Sequence, residues 1–403
     1  MMLKVLHLLN KLMEDYKMKI VHLCLASFYI DNYSYQENML PKHHVLQGHD
    51  VTVIASLVSF NKQGKSCLLE NESVYQSENN FKVIRVDYKK PIYRLNRFLR
   101  IYNKTYKIIR DESPDIIFIH GLQFWDISHI IDYKKKNPKV RIIIDNHADS
   151  INSAKNWLSK NILHKIIWRY FAKAIEPYTE IFYGVLPNRC EFLHRMYGIK
   201  KSKIKLLVMG VDDSNVNFSN REKIKKSIRE KHDISDNDFV IISGGKIDKL
   251  KNIHLLLKAI NEINNKNIKL LYFGTIVPEM LDTINALSNN ESIKYLGWLS
   301  GNDINDYILA SDLAIYPGTH SVLWEQSVGL GIPCIFKYWE GITHIDVNGN
   351  CRFLYKDNVA EIKHEILRLI NDKDLLNKMK SISESKGKNI FTYSTIAKKA
   401  ISI

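Results

Sequence analysis

From Met18 onward, short apolar runs alternate with longer stretches whose apolar residues recur every three or four positions. The runs at 19–26, 51–56, 82–87, 115–120, 140–145, 181–186 and 205–209 read as strands. Several are apolar almost throughout, such as Ile116-Ile117-Phe118-Ile119 and Val140-Arg141-Ile142-Ile143-Ile144. Strands hidden on both faces have this composition, and helices between them imply right-handed crossovers in a parallel sheet. A polar, charged join follows at 212–238, and then the rhythm restarts. Runs at 239–242, 268–273, 294–296, 313–316 and 333–336 alternate with helical stretches near 252–265, 277–288, 302–310, 322–330 and 358–382. The pattern predicts an α/β chain of two doubly wound domains, 18–211 and 212–384, with a helix at 385–403 packing back on the first. Residues 1–17 are amphipathic and lack a small-residue cleavage site, so they read as an extension and not as a signal peptide.

A chain of 403 residues that is 45% hydrophobic can bury two cores, which excludes a disordered polymer. No uncharged apolar run reaches membrane-spanning length. The five cysteines form no CxxC pair, which argues against a zinc ribbon and for a reducing, cytoplasmic compartment. Charge sharpens the picture. Residues 1–205 hold 33 Lys+Arg against 19 Asp+Glu, so almost all of the net charge of +15 lies in the first half. That imbalance points to an anionic partner for the first domain. Arg94, Arg97, Arg100, Lys104, Lys107 and Arg110 recur at helical spacing among Tyr93, Phe98, Leu99, Ile101 and Tyr102. Lys155, Lys160, Lys165, Arg169 and Lys173 do the same beside Trp157 and Trp168. Two basic amphipathic faces of this kind fit an anionic membrane surface, such as the cytoplasmic face of the inner membrane.

In open α/β sheets, ligands bind beyond the carboxyl ends of the strands. Ser243-Gly244-Gly245-Lys246-Ile247-Asp248-Lys249-Leu250-Lys251-Asn252 follows a strand and opens a helix. Its glycines admit a ligand to the backbone, and Lys246 and Lys251 add cations beside a helix N-terminus, a combination that fits a diphosphate. It lacks Walker A spacing. Further on, Tyr316-Pro317-Gly318-Thr319-His320 leads into a short helix with Glu325 and Gln326, which ends at Gly331-Ile332-Pro333. A fixed carboxylate there suits either the helix dipole or a ribose diol.

These segments resemble the retaining GT-B glycosyltransferases of family 4, the group 1 type, whose fold sets two Rossmann-like domains facing across a cleft. The resemblance implies that Gly245, Lys246 and Lys251 bind the donor diphosphate. It implies that Glu325 or Gln326 grips the ribose, that Trp298 and Leu299 lie in the segment reading the base, and that His320 lies near the donor sugar. His344 occupies a place where a glutamate is common. In the first domain, Asp145-Asn146-His147 follows a strand, and His147 is implied to face the reacting sugar and serve catalysis. His120 is a weaker candidate for the acceptor pocket. Ser34, Tyr35 and Gln36 stand where the family carries a glycine-rich loop. They are candidates to contact acceptor or donor, or else Ser34 caps a helix.

The Asp-x-Asp triplets at 236–238 and 372–374 follow no buried strand, so no metal site is expected and two lysines would neutralise the leaving group. The implied function is transfer of a sugar from a UDP- or GDP-sugar to a saccharide or lipid-linked acceptor in surface polysaccharide synthesis, with no other cofactor. A nucleotide-sugar epimerase or hydrolase of the same fold is one alternative. A basic nucleic-acid-binding protein is another, but no nucleic-acid motif supports it.

Overall fold

A computed structural model describes residues 17–61, 64–150 and 152–402. Apart from Lys17, the predicted extension lies outside the described residues. The chain forms two compact units. One runs to Leu207 and includes the segment from Ala397, and the other spans Val208 to Ile396.

Unit 1 contains strands β1 (Lys19–Cys24), β2 (Asp50–Ser56), β3 (Val58–Phe60), β4 (Ser66–Leu68), β5 (Ser73–Gln76), β6 (Lys82–Val86), β7 (Ile116–His120), β8 (Arg141–Asn146), β9 (Ile181–Gly184) and β10 (Ile204–Leu206). Eight of them form one sheet in the order β10-β9-β8-β7-β1-β2-β6-β5. Every pairing in it is parallel except β5 with β6. The chain winds outward in both directions from β1, so the strand order reverses between β1 and β7. Such a reversal opens a crevice at the carboxyl ends of the two strands. Val21, Leu23, Ile117, Ile119, Ile142 and Ile144 are fully buried on one face. The other face carries Cys24, Val53 and Val83, and also His22, a polar residue in an otherwise apolar strand.

Unit 2 repeats the plan with β11 (Phe239–Gly244), β12 (Ile268–Phe273), β13 (Ile293–Tyr295), β14 (Leu313–Tyr316), β15 (Cys334–Lys337) and β16 (Cys351–Leu354). Their order is β13-β12-β11-β14-β15-β16, parallel throughout, with the reversal between β11 and β14.

Three local expectations are corrected. The basic run 94–110 is two short helices, Tyr93–Leu99 and Thr105–Glu112, rather than one. Arg100 and Lys104 between them have φ of 54° and 61°, left-handed values that break a helix. Tyr102 in the gap is pulled into the core, where its hydroxyl donates to the Leu25 carbonyl. The stretch near 358–382 also divides, because the Asp372 carboxylate caps a second helix by accepting from Leu375 N. Ser34 caps nothing: the helix Gln36–Leu46 starts after Tyr35 with no side-chain cap. Strands β3, β4, β5 and β16 have no counterpart in the apolar pattern, being three or four residues long and partly polar.

Candidate functional site

In unit 2, parallel strands bring the loops after β11, β12, β13 and β14 to one edge of the sheet. Contacts too close for any Cβ tie these loops together. A Cβ on Gly274 would come within 1.8 Å of the Gly245 carbonyl oxygen, and one on Gly318 within 2.2 Å of the Leu250 carbonyl oxygen. Gly245 itself has φ +111°, a value that an L side chain rarely adopts. The Gly274 amide donates to the Gly297 carbonyl, which positions the segment carrying Trp298, largely exposed, and Leu299.

The two lysines differ. Lys246 Nζ is mostly exposed and lies 3.9 Å from the Asp248 carboxylate. Lys251 Nζ donates to the Thr319 and His320 carbonyls at 2.6 and 3.1 Å. Burial pushes its ammonium below the usual lysine range. Its backbone amide is held by Asp248 Oδ1 at 3.1 Å, which fixes the turn before the helix Ile253–Ile263.

Glu325 is fully buried. His320 Nε2 donates to its carboxylate at 2.8 Å, and His344 Nε2 donates to the same oxygen, Oε1, at 2.9 Å. Burial pushes this carboxyl up, but the two histidines outweigh that and hold it at about 2. Of the two residues left open for ribose, Glu325 is therefore enclosed and occupied, while Gln326 retains a partly exposed side chain.

In unit 1, the carboxyl ends of β1, β7 and β8 carry a continuous buried polar chain. His44 Nε2 lies 3.0 Å from the Ala397 carbonyl oxygen, and His44 Nδ1 lies 3.0 Å from His22 Nε2. His22 Nδ1 is 3.0 Å from His120 Nε2, and His120 Nδ1 is 2.9 Å from Asp145 Oδ2. His120 and Asp145 are register partners across β7 and β8, which explains their meeting. Burial lowers the basicity of His22 and His44, the latter to about 3. Burial pushes the Asp145 carboxyl up, yet His120 and His147 hold it well below the carboxylate range.

His147, about a quarter exposed, has Nε2 3.2 Å from Asp145 Oδ2. Burial pushes it down, while Asp145 and then Glu37 outweigh that and hold it above the ordinary histidine value. Polar atoms without a hydrogen-bond partner gather at these strand ends. They are both amide atoms of Gln36, Asn38 Oδ1 and Asp145 Oδ1. Buried orphans of this kind call for a ligand or water. Glu37, His120 and His147 also present potential metal-ligating atoms within 4.8 Å of one another. Both His120 nitrogens are already taken, so that residue would have to break a hydrogen bond to bind an ion.

The sequence candidates thus fall into two groups. Gly245, Lys246, Lys251, Trp298, Leu299, His320, Glu325 and Gln326 lie at one sheet edge of unit 2. Ser34, Tyr35, Gln36, His120 and His147 lie at one sheet edge of unit 1, where Ser34 and Tyr35 are exposed and Gln36 is buried. His120 is wholly buried with both ring nitrogens engaged. Sequence reasoning passed over His22, His44 and Glu37 and left Asp145 without a role. A histidine inside the apolar run Val21-His22-Leu23 was the available signal.

These two units define the GT-B fold, and solved structures of that fold superpose on nearly the whole chain. A glycosyltransferase from Rickettsia africae matches with TM-score 0.67 at 17% identity, covering 95% of this chain and 96% of that one. HepE of Anabaena, solved with UDP, matches with TM-score 0.64 at 12% identity, covering 95% and 98%. Residues 224–386 match the family model described as Glycosyl transferases group 1. The capsular polysaccharide biosynthesis glycosyltransferase CapM of Staphylococcus aureus is 28% identical over 184 residues, 42% of this chain and 47% of that protein. The chain spans about half the length of the curated relatives it matches. The chain is thus similar to glycosyltransferases, by family model over residues 224–386 and by fold over nearly its whole length. No described helix is long and apolar enough to cross a membrane.

Proposed function

We propose that the protein is a retaining glycosyltransferase that takes a UDP- or GDP-sugar and builds a surface polysaccharide on a saccharide or lipid-linked acceptor. The match of residues 224–386 to the group 1 model carries this reading, because that span holds the diphosphate-type loop at the end of β11. Unit 2 takes the nucleotide sugar. Gly245 lets the diphosphate approach the backbone, and Lys246 turns in from solvent onto it. Lys251 exchanges its carbonyl contacts for phosphate oxygens, a charge-assisted bond that strengthens as the bridging bond breaks. Gln326 holds the ribose, Trp298 and Leu299 border the base, and Glu325 keeps His320 in place beside the sugar. No metal takes part, since the lysines supply the positive charge.

Unit 1 takes the acceptor, with His147 donating to saccharide hydroxyls and the exposed Tyr35 available to it. Unit 1 also rests on the cytoplasmic face of an anionic membrane. The helix Tyr93–Leu99 buries none of its residues and exposes Leu95 and Phe98 beside Arg94 and Arg97. Trp125 joins this helix to a second exposed face: its amide donates to the Leu99 carbonyl, and its ring packs 4.9 Å from Phe171. That second face shows Ile166 and Tyr170 among Lys165 and Arg169. Apolar side chains ringed by cations suit a lipid headgroup layer.

Thermal shift with a panel of nucleotide sugars tests the reading. One UDP- or GDP-sugar raises the melting temperature in the presence of EDTA, and Lys246→Ala reduces the shift. No stabilisation by any nucleotide sugar refutes it, and conversion of the donor into its 2-epimer without transfer replaces it with an epimerase.

A further inference from the structure

The polar chain in unit 1 has a proton count that follows from its connectivity. It has four links: Ala397 carbonyl to His44, His44 to His22, His22 to His120, and His120 to Asp145. Both ends accept. A carbonyl oxygen never donates, and an ionised carboxylate has no proton to give. Four hydrogen bonds need four protons, whereas three neutral imidazoles bring three. Working inward from the carbonyl fixes each tautomer. His44 donates through Nε2 and accepts at Nδ1. His22 must then donate through Nε2 and accept at Nδ1. His120 donates through Nε2 to His22 and must also donate through Nδ1 to Asp145. The fourth proton therefore resides on His120.

We propose that His22, His44 and His120 are positioning residues that store one proton as the permanent counter-charge of Asp145, so that Asp145 remains an ionised anchor for His147. A buried carboxylate is tolerable only beside a compensating charge, and an imidazolium in direct contact supplies it. The chain is closed to water, since His22, His44, His120 and Asp145 are all fully buried. The surrounding charged and titratable groups are few. Glu37 and His43 lie on the helix that carries His44. Cys24 ends β1, and the His49 ring stands 6.1 Å from that of His44. Arg189 is paired with Asp149. On the open side, His147 Nε2 already stands 3.2 Å from Asp145 Oδ2 while Asp145 Oδ1 has no hydrogen-bond partner, so a small turn of the His147 ring completes the anchor when a ligand arrives. The consequence for His147 rests on the reading above that it touches saccharide. The proton count does not.

Nitrogen-15 spectra of histidine-labelled full-length protein test the proposal directly. From the hydrogen-bond count, the spectra should show His120 with both nitrogens protonated and His22 and His44 as Nε2–H tautomers. His44→Gln preserves the pattern, because the amide can donate to Ala397 and accept from His22. His44→Phe removes the acceptor for His22. The remaining imidazoles then reverse their tautomers, and His120 becomes neutral. A neutral His120 in the unaltered protein overturns the proposal, as does a His120 that stays doubly protonated in a folded His44→Phe variant. If His44→Phe does not fold, the spectra of the unaltered protein and of His44→Gln decide alone. Failure of nucleotide-sugar binding would strike the proposed function and leave these spectra unchanged.

Discussion

Each unit buries a carboxylate near the carboxyl end of its sheet and surrounds it with histidine, yet the two arrangements do opposite things with charge. Glu325 receives two Nε2–H donors from His320 and His344. One N–H from each imidazole suffices there, and the carboxylate lies beside the backbone loop that holds Lys251, since His320 belongs to that loop. Asp145 ends a chain whose other end is also an acceptor, so that cluster must take up a proton and is neutral overall. In unit 2 the loop that supplies His320 also holds Lys251 Nζ through its backbone carbonyls. In unit 1 charge is cancelled internally, and the one reachable group is His147. Residue type alone does not separate the two cases. The nature of the terminal acceptor does.

The largest test of this contrast is Glu325→Leu. Removing the carboxylate strands two buried donors and should cost about 3–5 kcal/mol, read as a lowered urea midpoint. The sign with pH follows from a carboxyl held at about 2 instead of its ordinary 4.5. Its stabilisation is complete above that ordinary value and disappears as pH falls toward about 2, a change of about 3 kcal/mol that Glu325→Leu should lack. An unchanged midpoint in the variant would show that the histidines need no carboxylate.

The next effect concerns His147, the exposed end of the neutral cluster. His147→Ala should lower turnover about 100-fold and leave the urea midpoint nearly unchanged, because the ring is partly exposed. Smaller still, Lys251→Ala should weaken nucleotide-sugar binding by about 2 kcal/mol, roughly 30-fold by calorimetry, with Lys246→Ala weaker again. Equal losses for the two lysines would contradict their different burial. The smallest effect lies away from both clusters. Phe98→Glu should reduce sedimentation with anionic vesicles about tenfold and leave neutral vesicles unaffected.

Much of this architecture was legible in the residue pattern. Strands such as 116–119 and 268–273 are apolar because both faces are covered, and that signal is local. The pattern could not register strands held mainly by their neighbours, such as β16 with its half-buried Arg352, or β5 at the sheet's antiparallel edge. The break at 100–104 was hidden because it depends on two residues taking left-handed backbone values around a tyrosine drawn into the core. The loop 243–252 stood out through its glycines and lysines. The histidine chain did not, since His22, His44 and His120 are 22 and 76 positions apart and only the parallel register of β1 and β7, with the helix Gln36–Leu46 packed beside them, unites them.

The last helix has a practical consequence. The backbone carbonyl that ends the imidazole chain comes from Ala397, which meets His44, 353 positions earlier, and belongs to unit 1. A gene cut after Leu207 would therefore yield a fragment missing one of its own parts. Such a half should recover its native spectrum only when a peptide spanning 393–402 is supplied in trans, making the protein a natural candidate for split-reporter reconstitution.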